Sequence, residues 1–310
     1  PAPREITTKP RLSDQVFRLV VTIGGMSSLI ILGLIALFLS IKGFNVLKVE
    51  QLSFITESKW EVLQDAEGKI AESTFGLGAM LIGTFLSAMI AVLVGVPIAV
   101  LSALYLTFYA RGAVKKFLVS LIDLMAAFPS LLFGFWGFIV FMSSAEYWAK
   151  LLNKYLGWIP IFDVPAPFFT RSPFIAGLVL AIMIIPIITS ISREVFAQTP
   201  LDRVQAAYAL GATKWSMIRS VVFPYGRGGV VGGAMLGLGR ALGETVAVYT
   251  VLNIVFDIRI EVLLSAGGSV ASMIVNKFGE ANPDELKALM AAGFVLFVVT
   301  LLVNFVANAI

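Results

Sequence analysis

Six apolar runs, each about the length of a bilayer crossing, are separated by polar stretches, and this pattern leaves few folds open. They cover residues 16–41, 76–109, 117–142, 174–191, 228–251 and 287–310. A helix needs about 20 apolar residues to cross the hydrocarbon core of a membrane. Only 14% of residues are charged, against about 25% for a soluble domain, and the mean hydropathy is +0.93. The chain therefore reads as an all-α membrane protein. It is a polytopic bundle of about six transmembrane helices in one domain covering residues 1–310, with no soluble domain and no internal repeat.

Charge in the polar stretches sets an orientation. Residues 1–18 carry four Lys/Arg and two acids, 107–117 carry three and none, and 192–227 carry five and two. The alternate stretches 42–72 and 252–288 hold more acids than bases. A short basic turn such as 107–117 resists translocation, so the N-terminus is expected inside, with residues 1–15 as a cytoplasmic tail. Six spans then return the C-terminus to the cytoplasm, in a multi-pass protein of the cell membrane. The first run is long enough to span and does not read as a cleavable signal peptide. The chain has no cysteine and no histidine, which excludes disulfides, thiolate metal sites and imidazole-based catalysis.

Pro97 follows Gly95 within the second run, and Pro129 and Pro186 lie inside the third and fourth. Each is expected to kink its span, either to shape the bundle or to let a pathway open alternately to each side. A re-entrant or interfacial piece is expected around 270–274. Trp60, Trp148 and Trp158 read as markers of the outer interface.

Arg240 and Glu244 stand inside the fifth run, in Gly237-Leu-Gly-Arg-Ala-Leu-Gly-Glu244. A charge at the bilayer centre costs at least about 2.5–3.5 kcal/mol on insertion scales, so it persists only if it pairs or performs a function. The i,i+4 spacing places both on one helix face, where they can pair. They are then either a structural ion pair or part of a solute pathway. Glycines crowd the same run, with Gly229/Gly233, Gly233/Gly237 and Gly239/Gly243 four apart. That spacing allows close helix approach, within the chain or against a partner. Asp123, in the third run, reads as a structural charge that caps or pairs near Lys115 and Lys116.

The stretch after the fourth run carries Gln205-Ala206-Ala207-Tyr-Ala-Leu-Gly211, then nine residues, then Val221-Val-Phe223-Pro224. Asp202 suits a helix N-terminus. Gly211 can end a short helix in a left-handed conformation, and a second helix is expected from about Lys214 to Phe223, stopped by Pro224. On helix signals alone this is an amphipathic loop; residues 192–227 form it. Its spacing, however, resembles the EAA loop of ABC-importer permeases, which is Glu-Ala-Ala, three residues, Gly, nine residues, Ile-x-Leu-Pro. Ala206, Ala207, Gly211 and Pro224 match, while Gln205 replaces the acid, Val221 the Ile and Phe223 the Leu. The resemblance implies a type I importer permease fold and a loop that docks on a separate ATPase subunit.

Three further segments narrow the resemblance: Phe128-Pro-Ser-Leu-Leu-Phe-Gly-Phe-Trp-Gly137, Leu180-Ala-Ile-Met-Ile-Ile-Pro186 and Leu236 to Thr245. From about Arg18 to Asn308 the chain is similar to the phosphate-specific (Pst) permeases, and to the C-type subunit more than to its A-type partner. The resemblance implies a heterodimer of the two permease types, two copies of an ATPase and an extracytoplasmic phosphate-binding protein. It also implies phosphate transport involving Arg240 and Glu244. A guanidinium offers five donors to an oxyanion and stays charged. No Gly-x-x-x-x-Gly-Lys-Ser/Thr occurs in the chain. ATP and Mg are therefore assigned to the partner ATPase, and this chain is read as a transport subunit with no cofactor and no catalysis of its own. An ABC permease for sulfate or molybdate, and an ion-coupled secondary carrier titrating Glu244 and Asp123, are the competing readings.

Overall fold

The computed structural model describes residues 11–64, 70–165, 168–265 and 267–308. Helix α1 (Leu12–Glu50) leads through the single turn α2 (Ser53–Thr56) into an antiparallel hairpin, β1 (Trp60–Gln64) and β2 (Ile70–Phe75), in which Trp60 faces Phe75. Helix α3 (Gly78–Leu104) runs on past Pro97 and ends in a π-turn, Tyr105–Tyr109. After α4 (Gly112–Ala127) the chain is extended at Phe128 and Pro129, and helix resumes as α5 (Ser130–Trp136), a π-turn Gly137–Phe141 and α6 (Met142–Leu156). Helix α7 (Pro173–Ala197) precedes two short helices, α8 (Leu201–Ala209) and α9 (Lys214–Met217). A π-turn, Ile218–Val222, leads into α10 (Phe223–Gly243), followed by α11 (Val246–Val251), α12 (Val270–Phe278) and α13 (Pro283–Asn308).

Among the described residues five helices are long and apolar enough to cross a membrane: Leu12–Glu50, Gly78–Tyr109, Ser130–Leu156, Pro173–Ala197 and Pro283–Val306. The sixth expected crossing is α10, whose glycines and arginines lower its hydropathy. Two expected spans are redrawn. The run 117–142 is not one kinked helix, because Pro129 disfavours helix at Phe128; the break divides α4 from α5, and the span moves on to Ser130–Leu156, taking in residues read as loop. The fifth run breaks at Glu244 and Thr245. Nor does Pro224 stop a helix: Val222 and Phe223 keep helical dihedrals and the chain runs on into α10, with Pro224 directly after the π-turn at which the regular hydrogen-bond ladder is already interrupted. The tail expected over residues 1–15 is already helical from Leu12, and residues 1–10 lie outside the described set.

Lipid tails are as apolar as leucine, so close packing of small residues holds such a bundle together. The centre is the parallel pair α3–α7. Ile90 lies against Gly177, Gly95 against Ile184, and Thr189 donates its hydroxyl to the Ala99 carbonyl at 3.3 Å. Helix α10 crosses α7 antiparallel on a glycine stripe, with Gly229 on Val195, Gly233 on Ile191 and Gly237 on Ile188. A Cβ at Gly237 would lie 2.6 Å from Ile188 Cδ1, so any larger residue there would require the Ile188 side chain to move. Away from that stripe, Gly228 and Gly232 meet open space, and Gly243 opens on a groove beside α13. Helices α1 and α13 pair antiparallel through Gly43 on Ala291 and Leu39 on Gly293.

These directions define two ends. The α8–α9 segment, the start of α1 and the finish of α13 share one. The β-hairpin, α12 and the starts of α3, α7 and α13 share the other. The 25 residues of α7 separate the two by about 37 Å.

Candidate functional site

Arg240 lies on the last turn of α10, level with the middle of α7. Its side chain is exposed and lines a groove of about 500 Å³ between α10 and α13, flanked by Leu39 of α1. Two polar side chains of α13 share this groove, Thr300 and Asn304; Asn304 Nδ2 donates to the Thr300 carbonyl at 2.9 Å. Among the described residues no carboxylate forms an ion pair with Arg240.

Glu244 does not pair with it, contrary to the expectation from i,i+4 spacing. The helix ends at Gly243, and Glu244 is extended at φ −69°, ψ 128°, which takes its side chain off the helical face. The carboxylate is buried and accepts a hydrogen bond from the Ala247 N–H at 3.4 Å. It thus satisfies an unpaired donor at the start of α11. Asp123, on α4, is exposed and makes no ion pair among the described residues, so its expected pairing with Lys115 or Lys116 is absent.

The α8–α9 segment places Gln205, Ala206 and Ala207 on one short helix. Asp202 lies in its first turn, and Gly211 follows its end at φ +80°, the expected left-handed stop. Thr213 caps α9 by accepting from the Ser216 N–H at 3.2 Å. Ala206, Ala207 and Pro224 come together on a groove of about 630 Å³ that also takes in Arg203 and Tyr225. Gln205, Gly211 and Pro224 are exposed. Leu201, Leu210 and Trp215 stand in solvent, with Leu210 89% accessible, an apolar surface suited to a protein contact. Lys214 fastens the segment to the end of α3: its ammonium donates to the Phe108 carbonyl at 2.7 Å and sits 4.6 Å from the Tyr109 ring centroid. The segment is thereby joined to the end of α3, and through Ile218–Val222 it continues into α10.

A family model of the binding-protein-dependent transport system inner membrane component matches residues 95–310. The chain belongs to this family. The match takes in the EAA-like segment and the Arg240 helix, and it agrees with a multi-pass membrane protein. This inner membrane component is 41% identical over 303 residues to the phosphate transport system permease protein PstC 2 of Mycobacterium tuberculosis, covering 97% of this chain and 92% of that one. It is 37% identical to the phosphate transport system permease protein PstC of Xylella fastidiosa, over 96% of this chain and 90% of that protein. In fold it is similar to a bacterial ABC transporter involved in import of the acidic polysaccharide alginate, with TM-score 0.55, 14% identity, and 96% and 98% of the two chains covered. A second likeness is to the MetNI methionine ABC transporter in an inward-facing conformation, with TM-score 0.51, 16% identity, and 76% and 92% covered. The architecture is that of a type I ABC importer permease.

Sequence reasoning missed several polar groups. Asn304 and Thr300 carried a usable signal, since polar residues inside an apolar run are functional candidates. Arg171 and Asn253 carried none, because both lie in mixed loops. Trp60, read as an interface marker, is instead 7% accessible. Its Nε1 donates to Glu285 Oε1 at 2.8 Å, and Lys277 Nζ reaches the same oxygen at 3.0 Å.

Proposed function

We propose that this chain is the permease subunit of an ATP-driven phosphate importer and contributes half of the translocation pathway. The observation that carries the reading is the mid-bundle guanidinium of Arg240, which faces an open groove with no carboxylate partner among the described residues. A cation left uncompensated at that depth is costly unless an anion visits it. Phosphate offers the charge and the acceptor oxygens that a guanidinium recognises. The names of the PstC relatives support the same substrate.

The second half is a permease of the A type, and the open Gly228 and Gly232 face of α10 suits a closely approaching helix. Two copies of an ATPase subunit bind ATP and Mg and dock at Gln205, Ala206, Ala207, Gly211 and Pro224, with one copy on each permease. An extracytoplasmic binding protein delivers phosphate to the far end, and both termini lie in the cytoplasm. When ATP closes the ATPase dimer, the two α8–α9 segments are drawn together. Lys214 carries the movement to α3 and the π-turn 218–222 carries it to α10. The bundle then opens outward and phosphate passes by way of Arg240. The break at Glu244 is the point at which α11 can reorient against α10, with the carboxylate holding the start of α11.

The test is reconstitution with the three partner proteins in vesicles and uptake of labelled phosphate against labelled sulfate. ATP-dependent phosphate uptake is expected, and selective sulfate uptake would remove the substrate assignment. Exchanging residues 201–211 for a flexible linker of equal length should release the ATPase subunit on purification; a complex that stays whole would contradict the docking assignment.

A further inference from the structure

The far end of the bundle holds a second arginine that has no carboxylate partner among the described residues. Arg171 precedes α7 and has φ +52°, a backbone conformation unfavourable for a residue with a Cβ and one that persists only where the surroundings enforce it. The surroundings are specific. Arg171 Nη1 donates to Asn253 Oδ1 at 2.9 Å, and its guanidinium carbon lies 4.9 Å from the Phe138 ring centroid. Asn253 is held in turn, its Nδ2 donating to Ser265 Oγ at 3.3 Å. The half-buried guanidinium is thus clamped in place. Four of its five N–H groups remain uncommitted. Among the described residues no Asp or Glu forms an ion pair with it.

It borders a cleft of about 360 Å³ whose other polar groups are Tyr249, Thr250, Asn253 and Asn276, with Phe135 and Phe138 as apolar walls. Asn276 Nδ2 donates to the Tyr249 hydroxyl at 3.5 Å, which leaves its second N–H and the Tyr249 O–H to donate to a further partner. These groups come from three separate parts of the chain, Arg171, residues 249–253 and Asn276, and converge without an acid among the described lining residues. Chain direction places the cleft in sequence with Arg240: from Arg240 the chain passes the break at Glu244, runs along α11 and reaches Asn253, which holds Arg171.

We propose that Arg171, Asn253, Tyr249 and Asn276 form an anion site at the far end of the bundle. It takes a tetrahedral inorganic oxyanion, phosphate, before the anion reaches Arg240. The site is a separate station from the Arg240 groove and rests on the phosphate reading for the identity of its ligand. A guanidinium fixed by a neutral amide attracts the anion without a competing carboxylate, and few committed donors let the anion leave inward.

The chain contains no cysteine, so Phe135→Cys places one thiol in this subunit, on the cleft wall, with every polar group retained. The assembled complex in vesicles is treated with a charged methanethiosulfonate reagent, and labelling of this subunit is followed by mass with inorganic phosphate or with chloride at equal ionic strength. Phosphate should slow labelling saturably, by about threefold at twice its half-protecting concentration, and chloride should not. Adding Arg171→Gln should abolish protection while the thiol still reacts, whereas adding Arg240→Gln should leave protection intact. Equal labelling in phosphate and chloride, or protection that survives Arg171→Gln, overturns the site. Protection by the binding protein free of phosphate, with none from phosphate alone, also overturns it and makes the cleft a protein-docking surface. Phosphate uptake is measured in the same vesicles. Uptake without protection removes only the anion site, whereas protection without uptake retains the site and removes the transport reading.

Discussion

Two cations of this chain, Lys277 and Arg240, sit in opposite circumstances. Lys277, on α12, lies 3.0 Å from Glu285 of α13, whose carboxylate is also held by Trp60. Trp60 is wedged between Phe75 and Phe256, at centroid distances of 5.0 and 6.1 Å. Each charge there has a partner, and the cluster joins the β-hairpin, α12 and α13 into one unit. Arg240 has an open groove in front of it and no acid partner among the described residues. A neutralised charge inside a folded unit contributes to architecture. A charge left open toward a groove is available to a ligand. Spacing alone did not separate the two, since Arg240 and Glu244 have ideal helical spacing and do not pair.

The comparison breaks if stability and transport fail to separate. Glu285→Ala leaves Lys277 and the Trp60 N–H without their acceptor and should cost about 2–3 kcal/mol. It should be read as a lowered unfolding midpoint of the purified complex, with uptake per surviving complex unchanged. An unchanged midpoint with abolished uptake would place Glu285 among the functional groups. Trp60→Phe keeps the ring stacking and loses one hydrogen bond, so the midpoint should fall by the equivalent of about 1 kcal/mol. Asp123→Asn, on an exposed face with no ion-pair partner among the described residues, should alter neither stability nor uptake. A clear loss of either would mean that α4 meets a partner through that residue.

Much of the fold was legible because apolar length and loop charge are local properties of the sequence. The helices α1, α3, α7 and α13 and the left-handed end of α8 at Gly211 follow from such rules. The breaks were not legible. Hydropathy registers Phe128-Pro129 as part of one apolar run, although proline pushes its predecessor out of the helical region. It likewise passes over Gly243-Glu244-Thr245-Val246, where a glycine and two β-branched residues weaken helix locally. Arg240 and Glu244 were therefore expected to pair across one helical turn, and the break at Glu244 separates them. Arg171 escaped altogether because its neighbours Asn253 and Asn276 lie about 80 and 105 positions away in sequence, and only the fold brings them together.

The central claim is that Arg240 meets the transported anion and has no structural duty. Its most direct test is ATP-dependent uptake of labelled phosphate by vesicles carrying the complete complex, native against Arg240→Gln, with assembly and unfolding midpoint measured on the same preparations. The account predicts uptake reduced to background in Arg240→Gln, with the complex intact and its midpoint unchanged. Undiminished uptake in an intact complex would contradict it, and so would a loss of uptake that merely follows a loss of stability.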